Sequence, residues 1–203
     1  ETYYPLIVEE YRARIDSGGA GLYRGGCGIK KVYRFLADGR ITYQDDRYHT
    51  YPYGVGGGKP GASSKKTLIR ANGETVELPS KVRDVPVYAG DRLIFETAGA
   101  GGVGDPLERD PELVAKDVRW NLVSREAARR DYGVVLKDDG SVDAAATEAE
   151  RAKIRATRGP LPEFDHGDLP PLEELSRIVA ATRRTFNEWL SQELGKARVN
   201  GVR

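Results

Sequence analysis

Three glycine clusters constrain this chain more than any other feature. Asp16-Ser17-Gly18-Gly19-Ala20-Gly21-Leu22-Tyr23-Arg24-Gly25-Gly26 sets an acid, a hydroxyl and an arginine at fixed offsets among glycines. Pro52-Tyr53-Gly54-Val55-Gly56-Gly57-Gly58-Lys59-Pro60-Gly61 is the second, and Thr97-Ala98-Gly99-Ala100-Gly101-Gly102-Val103-Gly104-Asp105-Pro106 the third. Glycine weakens strands and helices, so clusters like these imply either turns with positive φ or backbone that approaches something closely.

Composition narrows the class. With 203 residues, 39% of them apolar, the chain can build one sizeable domain or two small ones. Lys and Arg (32) nearly balance Asp and Glu (31), and there is no like-charge block of the kind nucleic-acid tails carry, which argues against a dedicated nucleic-acid binder. No apolar run approaches a membrane span, and no signal-peptide pattern opens the sequence. The single cysteine, Cys27, excludes an internal disulfide and fits a reducing compartment, so the expected location is the cytoplasm. The chain starts at Glu1 and contains no methionine, which reads as a fragment, a processed subunit or a polypeptide numbered from an internal residue.

The glycines divide the chain in two. Residues 1–106 hold 18 of the 24, with short strand-like runs between them. These runs are Thr2 to Tyr11, Ile29 to Leu36, Lys66 to Arg70 leading through Asn72-Gly73 into Glu74 to Leu78, Val85 to Tyr88, and Asp91 to Thr97. This half is expected to be an all-β sandwich or barrel. From 107 to 203 the apolar period lengthens to that of a helix, so the expected class is α+β. Asp110 can cap a helix that has Pro111 at its first position and Leu113, Val114, Val118 and Leu122 on its apolar face. Ser124 opens a second helix that Gly133 can end, and a third runs from about Ala144 to Thr157. A proline-rich connector over 159–171 leads to a long amphipathic helix, Leu172 to about Lys196. Its stripe of Leu172, Leu175, Val179, Phe186, Trp189, Leu190 and Leu194 either packs on its own domain or docks to another subunit.

Candidate sites are few. Gly99 to Gly104 matches GxGxxG, but Asp105-Pro106 follows where a dinucleotide fingerprint needs a helix to open. His49 and His166 are the only histidines, and neither has a second one at ligand spacing; carboxylates around His49, in Asp45-Asp46-Arg47-Tyr48-His49, could complete a site only with residues elsewhere. Cys27 reads either as a reactive thiol or as a small buried apolar residue. The first cluster is the strongest constellation. Either its glycine N–H groups and Arg24 hold an anionic group, or Asp16 and Arg24 pair across a turn and fix it.

Several motifs recur in one order over about two-thirds of the chain. They are Tyr4-Pro5, the Asp16 to Gly26 cluster, Asp46-Arg47 before Pro52-Tyr53-Gly54 and Gly57-Gly58, Gly90-Asp91, Thr97 to Pro106 with Leu107-Glu108-Arg109, Val123-Ser124, and Ala128 to Val135. In this order they resemble the C-terminal part of the hydantoinase B/oxoprolinase family.

The resemblance implies an ATP-dependent enzyme assembled from a hydantoinase A-like subunit, which handles ATP with Mg, and a hydantoinase B-like part. Members open cyclic amides such as hydantoins or 5-oxoproline. Related ketone carboxylases act on acetone or acetophenone, and a non-catalytic structural domain of such a complex is the third reading. Family chains are longer, and the resemblance places a possible divalent metal in an N-terminal portion absent here. No catalytic residue carries over. The residues expected to shape a substrate site or a subunit contact are Asp16, Ser17, Gly18, Gly19, Arg24, Gly25, Gly26, Asp46, Arg47, Gly57, Gly58, Thr97 and Asp105. The implied partners are the hydantoinase A-like subunit, the N-terminal hydantoinase B portion and a small cyclic amide or ketone, with neither nucleic acid nor membrane.

Overall fold

A computed structural model describes residues 3–169 and, beyond them, 171, 173, 174, 176, 177 and 180. Strands and three α-helices share the described chain. The strands are β1 (Leu6–Ala13), β2 (Ile29–Phe35), β3 (Gly39–Gln44), β4 (Gly54–Val55), β5 (Lys65–Ile69), β6 (Thr75–Leu78), β7 (Lys81–Val87), β8 (Arg92–Glu96) and β9 (Phe164–Asp165). The helices are α1 (Pro111–Arg119), α2 (Arg125–Tyr132) and α3 (Ala144–Thr157).

Five strands form one antiparallel sheet in the order β1-β2-β8-β5-β6, whose edges β1 and β6 stay apart, so it does not close into a barrel. β3 and β7 form a separate antiparallel ribbon. Sheet and ribbon share a core in which Phe35, Leu68, Leu78 and Leu93 meet Val82, Val85 and Val87. Each such side chain contributes about 1.5–3 kcal/mol when fully buried. The Asn72-Gly73 hairpin forms as its residues dictate: Gly73 takes a φ of 89°, and the Asn72 side chain accepts from the Glu74 N–H at 2.9 Å. Inside this body, Asp91 accepts from Arg70 at 2.7 Å and from the N–H groups of Ala71 and Tyr88 at 3.0 Å each, locking the β7–β8 turn onto β5.

The helices form where their caps place them. Asp110 accepts from the Glu112 N–H, Ser124 from Ala127 and Asp143 from Ala146, and Gly133 ends α2 at a φ of 62°. Their core consists of Val114, Val123, Ala127, Ala128, Tyr132 and Val134, and it includes Ala20 from the first glycine cluster. The helices therefore pack directly on the glycine-rich body.

Three expectations are corrected. The strand expected from Thr2 to Tyr11 is β1, Leu6–Ala13, and the described residues Tyr3 to Pro5 lie outside it. β3 is not among the expected strands, because its only apolar alternation is Ile41 and Tyr43 within a polar run. The proline-rich connector is not merely a linker: β9 pairs antiparallel with β4, folding the connector back onto the second glycine cluster. Of the expected helix from Leu172 to about Lys196 only residues 173, 174, 176, 177 and 180 are described, all helical, and its apolar stripe lies outside the described residues. Among the described residues no helix is long and apolar enough to cross a membrane.

Candidate functional site

The three glycine clusters, far apart in sequence, are bound to one another through their backbones. Gly19 N donates to the Ala100 carbonyl at 2.8 Å, Lys59 N to Ala20 at 2.7 Å, Gly102 N to Lys59 at 2.9 Å and Val55 N to Gly102 at 3.0 Å. Ala62 N donates to Ser17 at 2.8 Å, and Gly99 N to Ala62 at 3.0 Å. Most of these residues lie outside regular strands. Between the two reasons for such glycines, close approach prevails over positive φ. A Cβ on Gly99 would fall 1.7 Å from the Ser17 carbonyl oxygen, and one on Gly19 would fall 2.1 Å from that of Lys59. Only glycine fits where backbones crowd in this way, as on the axis of a collagen triple helix.

The polar residues of the first cluster hold this body together. Ser17 is fully buried; its hydroxyl donates to the Arg14 carbonyl and accepts from Gly28 N at 2.8 Å. Asp16, at a φ of 58°, accepts from Ser124 N at 2.7 Å and so ties the cluster to the start of α2. Arg24 does not pair with Asp16. It donates to Asp117 of α1 through Nε at 3.1 Å and Nη2 at 3.4 Å, and to the neighbouring Gly25 carbonyl at 2.6 Å. Burial pushes the Arg24 pKa down, but Asp117 outweighs it and holds the guanidinium more firmly charged than usual.

Asp117 is the residue the motif reading missed. Arg109 also donates to it, at 2.9 Å, so one buried carboxylate joins two arginines. The signal for it is a carboxylate at the third position after Val114 and just before Val118, on the apolar stripe of α1. Beside this group, the buried Tyr132 hydroxyl and Arg109 Nε find no hydrogen-bond partner among the described residues. Burial also raises the Tyr132 pKa well above its ordinary value. Cys27 is half-buried and meets Arg24 Nη1 at 3.3 Å and the Leu122 carbonyl at 3.6 Å.

The remaining expected residues lie elsewhere on the same body. Asp46 and Arg47 expose their side chains while their carbonyls accept from Ser64, at 3.1 and 2.9 Å, at the start of β5. Thr97 Oγ1 accepts from Ile29 N at 2.8 Å. Gly57 N donates to the Pro162 carbonyl at 3.0 Å, and a Cβ on Gly58 would fall 2.2 Å from the Gly102 carbonyl oxygen. Gly18 and Gly25 are equally crowded, whereas a Cβ on Gly26 would meet nothing within 4 Å. Asp105 caps the short turn Pro106–Glu108 and accepts from both terminal nitrogens of Arg158, at 2.5 and 2.6 Å. That pair holds its carboxyl below the usual range. Asp16, Arg24 and Asp105 thus engage three different partners and do not converge.

The glycine loop 99–104 does not fit a nucleotide phosphate. Five of its six amides already donate to protein carbonyls, those of Ala62, Gly26, Lys59, Tyr23 and Val55. The Asp105 carboxylate, which caps the turn that follows, puts negative charge at the end of the loop. Nor does a metal site form at His49. The neighbouring Asp45 carboxylate is taken by the buried Lys66 ammonium, and no group of three or more metal-ligating side chains exists among the described residues. An open cleft of about 520 Å³ runs between α2 and α3, lined by Arg125, Arg129, Arg130 and Glu150. Its arginines are engaged, Arg129 with Glu150 at 2.9 Å, Arg130 with Asp131 at 2.7 Å and Arg125 with the Lys137 carbonyl at 2.8 Å.

Comparison with known proteins agrees with this arrangement of motifs. Residues 1–106 match the family described as Hydantoinase B/oxoprolinase. The B component of the putative D-/L-hydantoinase of Pseudomonas sp. (strain NS671) is 34% identical over 152 residues, covering 74% of this chain and 26% of its own. The crystal structure of the ATP-dependent caprolactamase from Pseudomonas jessenii superposes with a TM-score of 0.66 at 34% identity, covering 74% of this chain and 27% of that one. The acetone carboxylase alpha subunit of Xanthobacter autotrophicus is 29% identical over 192 residues, covering 76% of this chain and 25% of its own. The chain spans about a quarter of the length of the first of the curated relatives it matches, and less than a tenth of the 5-oxoprolinases among them. It belongs to the hydantoinase B/oxoprolinase family.

Proposed function

We propose that this chain serves as the glycine-cored C-terminal segment, or a split subunit, of an ATP-dependent hydrolase of cyclic amides. It acts with an ATP-handling hydantoinase A-like subunit and with the N-terminal hydantoinase B portion. The observation that carries this reading is the alignment of all three glycine clusters with the family, on a chain spanning only about a quarter of its relatives. The relatives named as hydantoinase and caprolactamase subunits supply the cyclic-amide chemistry.

The chain's own residues fit a supporting role. Five of the six amides of its nucleotide-like loop are engaged and a carboxylate stands at its end, which supports a reading in which the partner subunit holds ATP and Mg. Asp117 pairs with Arg24 and Arg109, Asp91 with Arg70, and the buried Arg151 donates to backbone carbonyls, which supports a role for the glycine body as a rigid wall or contact for the rest of the enzyme. A metal, where the chemistry uses one, would take its ligands from the N-terminal portion. Phosphorylation of an unreactive oxygen activates it, and closed, interlocking polypeptides keep such an intermediate from water. The cytoplasm is the compartment where such an ATP-driven assembly would work.

A second reading has its own support, the match to an acetone carboxylase subunit over 76% of the chain. Bicarbonate separates the two. ADP release from the assembled enzyme that depends on a cyclic amide and ignores bicarbonate supports the hydrolase, whereas release requiring bicarbonate and a ketone supports the carboxylase.

A further inference from the structure

Tyr23 and Val103 stand side by side on the outside of the glycine body, with 69 and 47% of their surfaces exposed, and Leu22, 36% exposed, precedes Tyr23 in the chain. Tyr23 and Val103 are bridge partners, each N–H donating to the other's carbonyl at 3.0 Å, which sets their side chains next to each other on one face. Val103 also bridges Val55 in parallel, and Leu22 N donates to the Gly104 carbonyl at 3.2 Å. All three glycine clusters therefore meet in this small ladder.

The backbone beneath leaves these side chains nowhere to turn inward. A Cβ on Gly21 or on Gly58 would fall 2.7 Å from Val103 N, so the layer behind the patch is already filled by backbone. Arg109 Nη1 donates to the Leu22 carbonyl at 2.9 Å, tying this ladder to the Asp117 group. A tyrosine set beside a valine on rigid backbone has the composition of an interface centre rather than of a solvated surface.

We propose that this patch is covered by the remainder of a hydantoinase B-type subunit, the portion of the relatives' chains that lies outside the match. The proposal rests on the reading above, that the chain works within such a subunit. That occupant is favoured because about three quarters of the polypeptide of relatives such as the hydantoinase and caprolactamase subunits lies outside the matched part. A quarter of a folded chain buries much of its surface against the rest, and an apolar face on rigid backbone is the surface that gains most from burial.

The test produces this chain and the remaining portion of its hydantoinase B-type subunit as two polypeptides, mixes them, and reads Tyr23 by hydroxyl-radical footprinting. The expected result is a several-fold fall in Tyr23 modification on assembly, with Tyr23→Glu weakening the complex about a hundredfold. A complex that forms while Tyr23 stays as reactive as in the isolated chain overturns this proposal alone and leaves the functional reading standing. No complex at all overturns both. Protection of Tyr23 that grows with the concentration of the isolated chain names a second copy as the occupant and overturns the proposal. The wild-type footprint decides the matter even where Tyr23→Glu disturbs folding.

Discussion

Gly25 lies against Ala100 so closely that a Cβ on Gly25 would fall 2.0 Å from the Ala100 carbonyl oxygen. Backbone blocks the way on that side, so no side-chain rotation relieves the clash. Gly25→Ala is expected to cost about 3 kcal/mol or more in urea unfolding, the upper range of overpacking. Gly26→Ala, one residue on, meets open space and should be neutral or slightly stabilising, by up to about 1 kcal/mol. Equal effects at the two positions would contradict the close-packed glycine body.

Asp117 is a buried carboxylate shared by Arg24 and Arg109. Removing it leaves two guanidiniums in the interior without their counter-charge, so Asp117→Ala should destabilise by about 3–5 kcal/mol. Denaturant midpoints read this directly. A loss under about 1 kcal/mol would show that the two arginines reach solvent or other acceptors, and would return Arg24 to consideration as a ligand-facing group.

The Asp105 and Arg158 pair gives a pH dependence with a definite sign. Arg158 holds the Asp105 carboxyl below its ordinary value, against the opposing effect of burial. In acid the unfolded chain therefore takes up this proton first. The pair's stabilisation is fully present above the ordinary carboxylate range and is lost as pH falls through that range toward the depressed folded value. Asp105→Asn should lose stability at pH 7 and show a shallower decline between about pH 5 and pH 2 than the wild type. Parallel declines in the two proteins would contradict the assignment.

Local signals in the sequence are legible wherever one residue type answers one backbone need. Asp110-Pro111, Ser124, Gly133 and Asn72-Gly73 mark the ends and turns at which the structure begins and stops its elements. The sheet core is legible from alternation, except in β3, where only Ile41 and Tyr43 point to it. Partnership is not legible. The offset of Asp16 and Arg24 suggests a local pair, yet their partners are Ser124 and Asp117, about a hundred residues away, because α1 and α2 pack on the glycine body. The glycine clusters announce close approach without saying to what, since backbone-to-backbone contact leaves no side-chain pattern to read.

The most direct test of the account is an omission experiment on the assembled enzyme, in which ADP release driven by a cyclic amide is measured with and without this chain, and for the chain by itself. The account expects coupled turnover only when this chain, the N-terminal hydantoinase B portion and the hydantoinase A-like subunit are all present, and no ATP hydrolysis by the chain alone. Turnover of ATP by the purified chain, or full coupled activity without it, would contradict it.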